Sequence, residues 1–150
     1  MTTTISQIMR KKLQTIEETA SVQDAAKEMK AKNVSSLVVV DVNGKPQGLV
    51  TERDLVRKVC INDLRTSTVT NKEIMSSPLI TINSNSSPSV AADMMLQKNV
   101  RHLLVVDDDN SKNNVKAPIG IITPLDFTRY QEYKNEGEKD AIERILEYYI

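Results

Sequence analysis

Val22, Ala25, Ala26 and Met29 stand at i, i+3, i+4 and i+7 among polar neighbours, a spacing that gives a helix one apolar face. That helix begins at Ser21, with Asp24 three residues on, and Asn33 suits the left-handed residue that ends it. The unbroken run Leu37-Val38-Val39-Val40 predicts a strand buried on both faces. Asn43-Gly44 is a hairpin signal, and Gly48-Leu49-Val50 returns as a strand. A second helix opens at Thr51 and runs towards Cys60. Upstream, Thr4-Ile5-Ser6-Gln7 fits a capping box opening a short helical turn that ends at Ile8-Met9. A short strand is expected around Leu13 to Ile16.

The same pattern then recurs. At an offset of 66 residues, Ile8-Met9 falls on Ile74-Met75, Ala25-Ala26 on Ala91-Ala92, and Val39-Val40-Asp41 on Val105-Val106-Asp107. Residues 4–41 and their counterparts share 17 identities in 38 positions without a gap. Chance would give roughly two or three, so the chain contains a duplication. Beyond Asp41 the offset is 72, and Pro46, Gly48, Thr51 and Asp54 match Pro118, Gly120, Thr123 and Asp126. The six extra residues lie within Asp107 to Ala117, where a polar surface loop absorbs length at little cost. The second copy opens with Thr70-Asn71-Lys72-Glu73, has a strand around Leu79 to Ile82, and starts its helix at Ser87 with Pro88 in the first turn.

The fold class is therefore α+β, two tandem β-α-β-β-α repeats. Residues 1–66 form the first, residues 67–130 the second, and residues 131–150 lie outside the repeat. Each half, about 60 residues, is marginal alone, so the halves are expected to pack as a pseudo-two-fold pair with a cleft along the joint. The small residues Ala25 and Ala26 favour close approach of the helix to a neighbour. Ala141, Ile142, Ile145, Leu146 and Tyr149 predict an amphipathic C-terminal helix. It either caps its own domain or packs across a dimer interface.

Composition narrows the chemistry. Lys plus Arg is 20 and Asp plus Glu is 20, so no net charge favours capture of nucleic acid or an anionic membrane surface. With no Trp, one Phe and four Tyr, base-stacking platforms are scarce. One Cys and one His exclude an intramolecular disulfide and the usual zinc set. No apolar run approaches the roughly 20 residues that span a bilayer. Met1 to Arg10 lacks the apolar stretch of a signal peptide, so a cytoplasmic location is the default reading. Cys60 reads as a small buried hydrophobe near a helix end, and Met29, Met94 and Met95 as core. Four glycines, at 44, 48, 120 and 137, lie too far apart for a phosphate-binding loop. No nucleophile with a base, acid pair in an apolar setting or metal set points to catalysis, and the chain reads as a non-enzyme.

The ordered set of an Ile-Met pair, a Thr-hydrophobic step, an Ala-Ala helix and a hydrophobic run ending in Asp closes each time on the same mark. That mark reads Gly48-Leu49-Val50-Thr51-Glu52-Arg53-Asp54 and Gly120-Ile121-Ile122-Thr123-Pro124-Leu125-Asp126. The repeat resembles the CBS domain, named for cystathionine β-synthase, and the pair resembles a Bateman module. The resemblance covers residues 4–130. It implies a homodimer of paired domains, no bound cofactor, and a regulatory role in signal transduction. The implied ligand is adenosine-type: AMP, ADP, ATP or S-adenosylmethionine. It would sit in the cleft between the repeats and signal by conformational change to a protein effector that the sequence does not name.

One carboxylate can accept both ribose hydroxyls, and a phosphate favours cations, a hydroxyl and helix-start amides. Thr51 and Asp54 supply these at one helix start, with Arg53 as an extra cation. The resemblance adds Leu79 and Ile80 for the adenine slot and Arg101 and His102 for the phosphates. A second pocket would use Leu13, Gln14, Ser35, Ser36, Thr123 and Asp126. It is poorer in charge, since Ser35 and Ser36 stand where Arg101 and His102 stand. The two pockets are therefore expected to be unequal. Thr-x-x-Asp is also an ordinary capping box, with Pro124 at its favoured first-turn place. A structural dimerisation scaffold with no ligand thus stays open as the alternative.

Overall fold

The computed structural model describes residues 3–107, 117–129 and 142–147. The elements run α1 (Ile5–Ile8), β1 (Thr15–Glu17), α2 (Val22–Lys32), β2 (Ser36–Val40), β3 (Pro46–Thr51) and α3 (Glu52–Asp54). A π-helix (Leu55–Cys60) continues α3. They go on as α4 (Asn71–Ile74), β4 (Thr81–Asn83), α5 (Pro88–Lys98), β5 (Leu103–Val106), β6 (Pro118–Ile122) and a 3-10 helix (Pro124–Arg129). Residues 142–147 form a last helix, α6. Both short strands open two residues later than the sequence pattern places them.

Two compact units result. One is Leu13–Leu79; the other joins the segment up to Lys12 to the described residues from Ile80 onward. The sequence repeat and the compact unit are therefore out of phase by about a dozen residues, because the helix that heads each repeat packs on the unit built around the other repeat's strands.

In the 13–79 unit, β1 runs parallel to β2, and β2 antiparallel to β3. A parallel pair needs a crossover, and α2 is that crossover. Ser21 caps α2 by accepting the Asp24 amide, and Asn33 ends it in the left-handed region at φ 53°. The β2–β3 hairpin closes on Asp41, whose Oδ1 accepts the amides of Asn43 and Lys45 at 2.9 Å each. Gly44 takes φ +78°, a conformation open to a residue without Cβ. The core gathers Ile16, Val22, Ala25, Met29, Leu37, Val39, Val50, Val59 and Ile74.

The second unit repeats this plan with β4, β5 and β6. Ser87 caps α5 with Pro88 in its first turn, and Asn99 ends it at φ 53°. Its core adds a covering that the first lacks: Ile142 and Ile145 of α6 are fully buried in it, with Leu146 half-buried against it. The terminal helix thus caps its own unit. Ala141, Tyr149 and the inserted stretch 108–116 fall outside the described residues.

Two expectations need correction. Ala26 is exposed, and only Ala25 packs in its core, whereas Ala91 and Ala92 are both fully buried in the cluster that α6 joins. Cys60 is exposed at the end of the π-helix. The deviation from α geometry falls on the very turn whose α register would have set which face that residue takes.

The heading helices dock by backbone pairing. Arg10 exchanges hydrogen bonds with Ile121, its N–H donating at 2.9 Å and its carbonyl accepting at 3.0 Å. Ser76 and Leu49 do the same in the other unit, at 2.9 and 3.0 Å. These segments cross Gly48 and Gly120. A Cβ on Gly48 would stand 2.8 Å from the Ser76 carbonyl oxygen, and one on Gly120 2.8 Å from that of Arg10.

Two outcomes follow for stability. Gly48→Ala and Gly120→Ala force backbone apart and should each lower the unfolding free energy by about 1–3 kcal/mol in urea titration. Ile145→Ala, which empties a fully buried site under α6, should lower it by about 2–5 kcal/mol.

Candidate ligand-binding site

Thr51 is the last residue of β3 and the cap of α3, so strand and helix together fix its side chain. Its N–H donates to Asp54 Oδ2 at 3.0 Å and its hydroxyl to the same oxygen at 3.1 Å. In return the Asp54 N–H donates to Thr51 Oγ1 at 3.1 Å. This is a complete capping box. Asp54 does more than cap, however. Its Oδ1 accepts from the Ser76 hydroxyl at 3.2 Å and lies 3.1 Å from the Lys58 ammonium. The residue is only 7% exposed. The Glu52 amide at the same helix start donates to the Ser35 carbonyl at 3.0 Å.

The matching start in the other unit is built differently. Thr123 donates its N–H to Asp126 Oδ2 at 2.8 Å and its hydroxyl at 3.4 Å. The Asp126 N–H donates to the Thr123 carbonyl at 3.0 Å, where Asp54 uses the hydroxyl. Arg10 brings its Nε to 4.0 Å from Asp126 Oδ1. Asp126 exposes no surface. The two carboxylates thus differ in their surroundings: one is edged by a lysine and a serine, the other fully enclosed beside an arginine.

The remaining candidates divide between the units. The first holds Leu13, Gln14, Ser35, Ser36, Arg53 and Leu79 beside Thr51 and Asp54; the second holds Ile80, Arg101 and His102 beside Thr123 and Asp126. Leu13, Gln14, Arg53, Leu79, Ile80 and His102 are half-buried, Ser35 and Arg101 exposed, and Ser36 buried. Ser36 pairs with Thr51 across β2 and β3, so within one unit Thr51, Asp54, Ser35 and Ser36 come together. The carbonyls of Gln14 and Ile80 are occupied by the amides of Val38 and Leu104.

Sequence reasoning missed Lys58, Ser76 and Arg10. Lys58 carried a signal, since it stands four residues after Asp54 on one helical run. Ser76 and Arg10 carried another: each directly follows a copy of the repeated Ile-Met pair. Among the described residues no three His, Cys, Asp or Glu side chains assemble as a metal-binding group.

Two three-stranded α+β units, each with a Thr-x-x-Asp box where its hairpin strand becomes a helix, define a tandem small-domain class. The CBS domain model matches residues 5–60 and 72–133, and the chain belongs to that family, carrying two CBS domains in tandem. The CBS domain-containing protein YhcV of Bacillus subtilis is 30% identical over 141 residues, 94% of each chain. Protein MK0525 of Methanopyrus kandleri is 30% identical over 129 residues, 86% of this chain, which spans 63% of that relative's length. A solved structure, the CBS domain pair of protein MJ0100 in complex with 5′-methylthioadenosine and S-adenosyl-L-methionine, superposes with a TM-score of 0.72 at 28% identity. The match covers 87% of this chain and 96% of that one.

Because the box at Thr51 is complete, Thr51→Ala should lower stability by about 1 kcal/mol in urea titration, with no change in fold by circular dichroism.

Proposed function

We propose that the chain is a non-catalytic regulatory module that binds an adenosine-type ligand and signals by conformational change to a partner protein. The observation that carries this reading is Asp54: a carboxylate held in place by its own helix start, nearly buried, with one oxygen turned to polar side chains instead of to the cap. A ribose diol is a neutral group that such a carboxylate can accept through charge-assisted hydrogen bonds. Arg101 and His102 are the proposed phosphate contacts, Leu79 and Ile80 the adenine contacts. The neighbour solved with two adenosine-type molecules supports this ligand class. AMP, ADP, ATP and S-adenosylmethionine all carry the required diol. Thr123 and Asp126, with Leu13, Gln14, Ser35 and Ser36, form the weaker set. The module is proposed to act as a cytoplasmic homodimer. No described helix is long and apolar enough to cross a membrane.

A second reading, a dimerisation scaffold without ligand, is favoured by one observation. Both Thr-x-x-Asp boxes already serve as caps, which is a sufficient reason for their presence.

Thermal unfolding with AMP, ADP, ATP, S-adenosylmethionine and GTP separates the two. The comparison variant is Asp54→Asn, because the amide oxygen retains an acceptor for the cap whereas alanine would remove it. A ligand at a hundred times its dissociation constant stabilises by about 2.7 kcal/mol. For a chain of this size that is a melting shift on the order of 5–10 °C. The regulatory reading expects that shift with an adenosine ligand, no shift with GTP, and its loss in Asp54→Asn. The absence of any shift at millimolar adenosine ligand leaves the scaffold.

A further inference from the structure

An ionised carboxylate offers about four lone-pair positions, and four protein donors point at Asp54. Two of them, the Thr51 N–H and hydroxyl, sit on Oδ2 and belong to the helix cap. The other two, the Ser76 hydroxyl and the Lys58 ammonium, sit on Oδ1. The Oδ2 pair is built into the strand-to-helix turn. The Oδ1 pair is made by exposed side chains that reach the carboxylate by rotation alone. Lys58 also has a second partner, donating to the Ile74 carbonyl at 2.8 Å. The Ser76 hydroxyl, neutral and at 3.2 Å, is the weakest of the four. Its backbone is pinned by the exchange with Leu49, so only rotation of the side chain takes the hydroxyl off Asp54.

The equivalent position in the second unit makes the same approach with different chemistry. Arg10, also directly after an Ile-Met pair, faces Asp126 Oδ1 at 4.0 Å. In both units the residue that follows the Ile-Met pair is the one the docked segment delivers to the helix-start carboxylate.

We propose that Ser76, with Lys58 beside it, is an internal competitor for Asp54 that a ribose diol displaces, so that the residue after the Ile-Met pair sets the affinity of the helix-start carboxylate. The inference rests on the adenosine-ligand reading above. The Asp54 start is the open one of the two, since Asp54 keeps some exposed surface and Asp126 none. Lys58 keeps its hydrogen bond to the Ile74 carbonyl when the diol takes its place on Oδ1, so its ammonium is not left unpaired.

The test is calorimetric titration of adenosine, AMP and 2′,3′-dideoxyadenosine into wild type, Ser76→Ala, Ser76→Arg and Asp54→Asn, each checked for cooperative unfolding. Removing one competing neutral hydrogen bond should tighten adenosine and AMP in Ser76→Ala by about three- to tenfold. Ser76→Arg should weaken both by at least as much, and 2′,3′-dideoxyadenosine should show no gain in Ser76→Ala. Binding by Ser76→Ala alone, with none by wild type, also supports the proposal, since the competitor then keeps the site closed. If wild type binds adenosine or AMP and Ser76→Ala binds equally or more weakly, the competitor is overturned and the ligand reading stands. An equal gain with 2′,3′-dideoxyadenosine overturns it too, because no diol is then being exchanged. If no variant binds any probe, both readings fall.

Discussion

The missing side chains at Gly48 and Gly120 govern much of the architecture. Each glycine lies on the last strand of its sheet, and a backbone segment crosses it close enough that a Cβ would meet a carbonyl oxygen at 2.8 Å. Neither carbonyl can move away, because each belongs to a residue paired with the strand by a two-way hydrogen-bond exchange. Close approach lets Ile5 and Ile8 of α1, and Ile74 of α4, reach cores that their own repeats' strands do not build. The same approach delivers Arg10 and Ser76 to within reach of Asp126 and Asp54. Core formation and the surroundings of the candidate site thus share one steric cause.

The helix-start aspartates show how one motif acquires two characters. Both use Oδ2 to receive the cap-residue amide, so their backbone role is the same. What differs is the neighbour at the other oxygen. Asp54 has a lysine on its own helical run and a serine from the docked segment; Asp126 has an arginine and no exposed surface. The contrast of charge noted in the sequence between Arg101-His102 and Ser35-Ser36 is joined by a second contrast, of Arg10 against Ser76. It lies at the carboxylates themselves, where affinity for a neutral diol would be set.

Belonging to the CBS family accounts for the tandem plan and for the regulatory class of function proposed here. It leaves the ligand to the chemistry of the individual starts. A carboxylate whose lone pairs are filled by its own protein is stable without ligand, so a capping role does not by itself exclude a binding role.

Much of the fold was legible in the sequence because its signals are local. The caps at Ser21 and Ser87, the left-handed Asn33 and Asn99, the buried run Leu37 to Val40 and the turn at Gly44 each depend on a few adjacent residues. Repetition made the reading firmer, since every signal arose twice. Thr51 and Asp54 were legible for the same reason, being three residues apart. The docking of α1 and α4 was not legible, because an Ile-Met pair fits either core and both last strands carry the glycine that admits the crossing segment. Nor was the burial of Ala92 against the exposure of Ala26, although the two stand at matching positions of the repeat. Ser76 at Asp54 and Arg10 at Asp126 are separated by 22 and 116 residues in sequence, and no local pattern joins them. The sequence determined the elements and the caps through short-range hydrogen bonding and periodicity. Tertiary structure decided which side chains surround each carboxylate, because that depends on the packing of segments distant along the chain.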